Sequence, residues 1–298
     1  MLKREWWKLS IEIHKELEEI IIWKLDNLNI QSYAFNYLNK QSLNIELVIW
    51  LSKSEWNSKA IDNLEDDFSK FLLHNNFNKS YFFKEFIREE DWFESWKRYW
   101  QPELIGDNFL VLPFWIDLPE KHKNKRVIKI DPGAAFGTGS HPSTSLCLET
   151  IEKESIVGQR VLDIGSGSGI LTIAAKLLGA GELFAIDKDS LAVKSTEENF
   201  NLNFGNLDNL EIFQDDFLDL IRREKMGSFD LILCNILADV IKKIIPALYE
   251  ALDLNGVLIL SGILATQKDD VIKVMHFNQL KIENVAFKQD WVCIKASK

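Results

Sequence analysis

Val161-Leu162-Asp163-Ile164-Gly165-Ser166-Gly167-Ser168-Gly169 is a short apolar run that stops in a glycine-rich turn. The spacing predicts a buried strand over 160–164. A helix follows at once, with Ile170, Leu171, Ile173, Ala174, Leu177 and Leu178 as its apolar positions. Glycine has no Cβ, so a ligand can approach the backbone of such a turn closely. A strand carboxyl end meets a helix amino end there, which is where open α/β sheets bind nucleotide-like ligands.

Strand and helix alternate from Arg160 onward. Strands are expected near 160–164, 182–187, 210–213, 229–234, 256–260, 279–287 and 290–296, with helices between the earlier ones. That order predicts an α/β fold: a seven-stranded, mostly parallel, Rossmann-like sheet covered on both faces. Only Lys288-Gln289 separates the last two strands, so they form an antiparallel hairpin. Pro246 lies inside the helical run Leu237–Leu252 and predicts a break there, or a second helix starting at it. Two more strands are expected near 109–115 and 126–130.

The first ninety residues have their own pattern. Trp7, Leu9, Ile11 and Ile13 alternate as in a strand, and Leu17, Ile20, Ile21, Leu25 and Leu28 have helical spacing. Tyr33, Phe35 and Tyr37 alternate again, as do Leu43 to Leu51, with Asn39-Lys40-Gln41 as the turn between. Ala60, Leu64, Phe68, Phe71 and Leu72 fit a second helix, and a last strand covers 81–87. The β-α-β-β-α-β order predicts a small ferredoxin-like α+β domain over 1–88. Residues 89–104 read as a linker helix carrying Trp92, Trp96, Tyr99 and Trp100, either a packed connector or an aromatic binding patch. The larger α/β domain is expected over 105–298.

The 298 residues suit two domains, and 46% hydrophobic residues suffice for ordinary cores. No apolar run is long enough to span a bilayer, and the start is not a signal peptide. Cys147, Cys234 and Cys293 are odd in number and far apart, which favours free thiols in a reducing cytoplasm over disulfides or a metal site. With 35 Lys+Arg and 45 Asp+Glu the net charge is −10. The acidity is spread along the chain and no basic stripe occurs, which argues against nucleic acid as the main partner. A basic protein substrate would suit that charge, as would any plain soluble enzyme.

The turn reads D-x-G-x-G-x-G. A dinucleotide fingerprint would place its third glycine at 170, which is Ile170. Gly169 and the leading Asp163 fit an S-adenosylmethionine (AdoMet) site better. Asp187 ends the second strand, where a carboxylate can accept hydrogen bonds from both ribose hydroxyls. It could instead cap the next helix, a role open also to Asp189 or Ser190. Asp215 and Asp216 follow the third strand, where one could accept from an adenine amino group or both could belong to a capped or solvated turn. Asn235 closes the fourth strand, where its carbonyl can accept from a substrate amine, or its amide can cap the following helix. Asp131 to Thr144 holds three glycines and two prolines and reads as a shaped loop, with Ser143 and Thr144 placed to cap or to reach a ligand.

Taken jointly, Asp131–Leu148, Val161–Gly169, Asp187, Asn235-Ile236-Leu237-Ala238, Ser261–Leu264 and Asp290–Cys293 resemble the ribosomal protein L11 methyltransferase family. The resemblance is specific over 89–298 and architectural before that. It implies an AdoMet-dependent protein N-methyltransferase with AdoMet contacts at Thr144, Gly165, Gly167, Asp187 and Asn235, Asn235 as the catalytic residue, and no metal. It also implies methylation of the α-amine and lysine amines of ribosomal protein L11, free or on the ribosome. The small first domain would recognise that substrate. The implied enzyme is a cytoplasmic monomer, with no sequence-specific nucleic-acid contact and no membrane. Many amine methyltransferases carry Asn/Asp-Pro-Pro-aromatic at this strand end, so Asn235-Ile236-Leu237-Ala238 removes the aromatic wall. The alternatives are methylation of another protein or an RNA amine, a nicotinamide-dependent dehydrogenase, or a non-catalytic ribosome-assembly binder.

Overall fold

The structure, a computed structural model, describes residues 5–28, 30, 32–36, 44–75, 77, 82–88, 100–131, 139, 141–223 and 227–298. The chain divides into two units, Met1–Gln101 and Pro102–Lys298. Most of the expected linker helix, 89–99, lies outside the described residues, as do 132–138 and 140 of the shaped loop.

In the first unit, β1 (Glu5–His14), α1 (Glu18–Asn27), β2 (Tyr33–Asn36), β3 (Asn44–Ser52), α2 (Ser58–His74) and β4 (Phe83–Arg88) follow the order read from the sequence. The sheet order is β2-β3-β1-β4, antiparallel throughout. Alternate residues Leu9, Ile11, Ile13, Leu47 and Ile49 share one core with Ile21 and Leu25 of α1 and Leu64 and Phe68 of α2. Both helices therefore cover the same face, as the period-two and period-3.6 patterns require.

The second unit opens with a three-stranded sheet, β5 (Glu103–Ile105), β6 (Phe109–Pro113) and β7 (Arg126–Ile130). The sequence reading missed β5, whose first residues fall inside the expected linker; three residues are too few to show a period. The large sheet comprises β8 (Arg160–Ile164), β9 (Glu182–Asp187), β10 (Leu210–Gln214), β11 (Phe229–Asn235), β12 (Leu252–Leu264), β13 (Lys281–Lys288) and β14 (Trp291–Ser297). Its order is β10-β9-β8-β11-β12-β14-β13. The first five are parallel, and β14 runs antiparallel to both its neighbours, as the short hairpin demands.

Helices α3 (Pro142–Ile151), α4 (Ile170–Leu177) and α5 (Ser190–Phe204) cover one face through Leu146, Ile173 and Phe200. Helices α6 (Phe217–Arg223), α7 (Ala238–Ala251) and α8 (Lys268–Phe277) cover the other through Phe217, Ile241 and Val271. Pro246 neither breaks nor restarts α7, which is continuous. Its ring lies on the exposed side, where water can take the freed carbonyl, while Ile241, Ile244, Ile245 and Leu248 hold the buried side. Cys147, Cys234 and Cys293 are free and buried, and the Cys293 thiol lies 3.5 Å from the Thr150 hydroxyl.

Candidate active site

Strands leave β8 in opposite directions, β9 and β10 on one side and β11 and β12 on the other, so the crevice between the β8 and β11 ends is the switch point of the sheet. The glycine turn hangs there from β9, since the N–H groups of Gly165 and Ser166 both donate to the Ile186 carbonyl at 2.8 and 3.1 Å. Helix α4 starts at the turn, and its N-cap, Gly169, has no side chain to offer. Asp163 supplies the cap from the strand below. Its Oδ2 accepts the Thr172 N–H at 3.1 Å and the Thr172 hydroxyl at 2.6 Å.

Asp163 is 1% exposed, and burial pushes its carboxyl from 3.8 up to about 6. Between those values the folded chain holds the proton more tightly than the unfolded chain. The group therefore favours folding at low pH, and that contribution is lost as pH rises through about 6. Asp163→Asn should flatten the pH dependence of the thermal midpoint over this window. Identical slopes for the two proteins would show that Asp163 does not titrate there.

Asp187 lies beside the turn. Its Oδ2 accepts the Gly167 N–H and its Oδ1 the Asp189 N–H, each at 3.0 Å. The helix cap falls to Asp189, which accepts from the Leu191 N–H at 2.9 Å. Asp187 is thus fixed at the strand end with further lone pairs for ligand hydroxyls. Asp216 takes the turn role, capping α6 through the Leu218 N–H at 2.7 Å and pairing with Lys188. Asp215 accepts the Asp216 N–H and pairs with Arg223. The two acids, one of which could have served as an adenine acceptor, are both engaged by the protein itself, as the capped-turn reading expects.

Asn235 ends β11 opposite Ser261 of β12. Its Nδ2 donates to the hydroxyl of Thr144 at 3.2 Å, and Thr144 is buried in the first turn of α3. Its Oδ1 is buried and has no hydrogen-bond partner among the described residues. Asn235 does not cap α7, whose N-cap is Leu237. A buried amide oxygen without a donor is costly, and this one stands at the mouth of the crevice. His141 is the N-cap of α3: its Nδ1 accepts the Ser143 N–H at 3.3 Å, and its ring meets Trp291 edge-on at 4.6 Å. Burial lowers its pKa to about 4, so it is neutral at pH 7.

Thr144, Gly165, Gly167, Asp187 and Asn235 therefore all belong to the crevice. Sequence reasoning missed Thr196, which braces the turn from α5: its hydroxyl donates to the Gly167 carbonyl at 3.1 Å and lies 2.9 Å from the Ser166 hydroxyl. The signal was present. Ala192, Thr196, Asn199 and Phe200 form the buried stripe of α5, and two of the four are polar. Among the described residues no cluster of His, Cys, Asp or Glu is placed to hold a metal.

Ile170, buried at the start of α4, stands where a dinucleotide fingerprint needs its third glycine for close helix–strand packing. A sheet of this strand order, with this turn, belongs to the AdoMet-dependent methyltransferases. The residues fit that cofactor: a glycine turn that leaves the backbone open to close approach, and a strand-end carboxylate, Asp187, fixed beside it with lone pairs to spare.

The family model for ribosomal protein L11 methyltransferase (PrmA) matches residues 5–298. A ribosomal protein L11 methyltransferase of Prochlorococcus marinus (strain MIT 9515) is 53% identical over 293 residues, covering 98% of each chain. One of Synechococcus sp. (strain RCC307) is 37% identical over 297 residues, covering 97% of this chain and 96% of that one. The crystal structure of ribosomal protein L11 methylase from Lactobacillus delbrueckii subsp. bulgaricus matches with a TM-score of 0.61 at 31% identity, over 67% of this chain and 99% of that one. The chain belongs to the ribosomal protein L11 methyltransferase family.

Proposed function

We propose that this chain transfers methyl groups from AdoMet to amino groups of ribosomal protein L11, its α-amine and lysine ε-amines. The observation that carries the reading is the Asn235 carbonyl, buried and without a partner among the described residues, while its amide nitrogen is held by Thr144. When bound, AdoMet supplies a methyl group on a sulfonium whose leaving group is a neutral thioether. The protein's part is then mainly alignment. Thr144 fixes the amide plane of Asn235, so Oδ1 can accept one N–H of the substrate amine and aim the nitrogen lone pair. Asp187 would hold the ribose hydroxyls, and the turn over 165–169 the amino acid moiety.

The attacking amine must be neutral. An α-amine titrates near about 8 and lysine near about 10.4, so lysine needs about 3 kcal/mol more help to lose its proton. His141 is engaged by Ser143 and Trp291, and burial lowers its pKa to about 4, which makes the ring a poor proton acceptor; in this reading the proton passes to water. Substrate recognition is assigned to the amino-terminal domain, 1–88, which has its own core and none of the crevice residues. In this reading the enzyme acts as a cytoplasmic monomer on free or ribosome-bound L11, without sequence-specific nucleic-acid contact. The free cysteines and the missing basic stripe support that setting.

The test is incubation with labelled AdoMet and separated ribosomal components, followed by mapping of labelled residues by mass spectrometry. Label on L11 amines is expected; label only in RNA would overturn the reading. Asp187→Ala should raise the AdoMet Kd about ten- to a hundredfold, since a charged acceptor for two hydroxyls is lost. Unchanged affinity by calorimetry would remove the ribose role.

A further inference from the structure

Asn199 and Asn203 stand one turn apart on α5 and face the outer edge of β7. Asn203 accepts the Lys129 N–H at 2.8 Å and donates to the Lys129 carbonyl at 2.7 Å. Asn199 accepts the Asp131 N–H at 2.7 Å through Oδ1, while its Nδ2 donates to the carbonyl of Ser168, in the glycine turn, at 2.9 Å. Both side chains therefore serve the strand, but of the two only Asn199 is bonded to the turn. It is 1% exposed, so neither bond can be exchanged for water without cost.

We propose that Asn199 is a positioning residue for the cofactor, setting the glycine turn against the end of β7. The proposal rests on the functional reading above. Thr196 holds the Gly167 carbonyl and Asn199 the next one along, so two consecutive carbonyls of the turn are tied to α5. Held in this way, they present the ligand with a fixed backbone. The same amide plane ties that backbone to Asp131, where the stretch leading to Thr144 begins. One side chain thus spans the cofactor turn and the approach to the residue that orients Asn235.

Asn199→Asp separates positioning from stability. The carboxylate still accepts the Asp131 N–H, but its second oxygen meets the Ser168 carbonyl, acceptor against acceptor. Asn203→Asp makes the same change against the Lys129 carbonyl, away from the turn. Asn199→Asp should raise the AdoMet Kd and KM about tenfold or more, with kcat at saturating cofactor within about threefold. Asn203→Asp should lower the thermal midpoint comparably and leave the Kd within about twofold. Equal effects of the two variants on Kd, or none from Asn199→Asp, would overturn the proposal. The unaltered chain gives a second measurement that needs no variant to fold. Adding AdoMet should slow hydrogen exchange of the Asp131 amide more than that of the Lys129 amide, and equal slowing would overturn the proposal too. Failure of the unaltered chain to bind AdoMet would instead overturn the functional reading, and the proposal with it.

Discussion

Asn235→Ala should lower kcat about a hundred- to a thousandfold while AdoMet affinity changes by less than about fivefold. Among the described residues the side-chain amide makes one bond, to Thr144, and in the proposed reading its carbonyl serves the amine. Alanine removes the acceptor that aims the lone pair, so the loss falls on a step made only in the transition state. Asn235→Asp retains an acceptor, and the Thr144 hydroxyl can turn to donate to it, so its kcat should lie between the two. Single-turnover rates at saturating AdoMet, with affinity measured separately by calorimetry, provide the check. A near-normal rate for the alanine variant would show that the amine is oriented by something else.

The second large effect is expected at Gly262. It has φ 79, where an L-residue is strained, and lies where the β12–β14 register shifts. A Cβ there would stand 2.2 Å from the Ile236 carbonyl oxygen and 2.7 Å from its carbonyl carbon. The obstacle is backbone, one residue from Asn235, and cannot rotate away. Gly262→Ala should destabilise by about 3–5 kcal/mol and lower the thermal midpoint by roughly 6–12 °C. Activity should fall as well, because the displaced peptide adjoins Asn235, which the proposed reading makes the amine-orienting residue. Gly165 presses on the same residue from the other side, but its added Cβ would meet the Ile236 Cγ2 at 2.3 Å. Ile236→Ala should therefore rescue Gly165→Ala in part and Gly262→Ala hardly at all. Equal rescue in a double-mutant cycle would refute this difference.

Much of this architecture was legible in the chain. The central parallel strands β8, β9 and β11 are largely apolar runs buried on both faces, and the hairpin was set by its short connection. Two things escaped. β5 is too short to show a period. β12 runs from Leu252, well before the expected 256, because Leu252 already pairs with Phe229 across an irregularity in register. Within the site, Asp187 and Asn235 stood out because a polar residue ending a buried strand must face the crevice. Thr144 stood out with Ser143 as a hydroxyl able to cap or reach a ligand, and family resemblance singled it out, but nothing in its local spacing could link it to Asn235, 91 positions away. Thr196 and Asn199 went unnoticed because a search of loops for ligands passes over polar residues in a helix stripe.

The asparagine pair on α5 also bears on how the molecules behave toward each other. β7 is the outer strand of the small sheet, and an open strand edge is a template for a strand from another molecule. Asn203 meets the Lys129 N–H and carbonyl as a neighbouring strand would, and Asn199 meets the next outward N–H, at Asp131. A helix thereby closes the sheet with side-chain amides in place of a backbone. Stripping those amides would cost more than local stability: it would uncover an adhesive edge, and concentrated solutions would be the first to register it as aggregation.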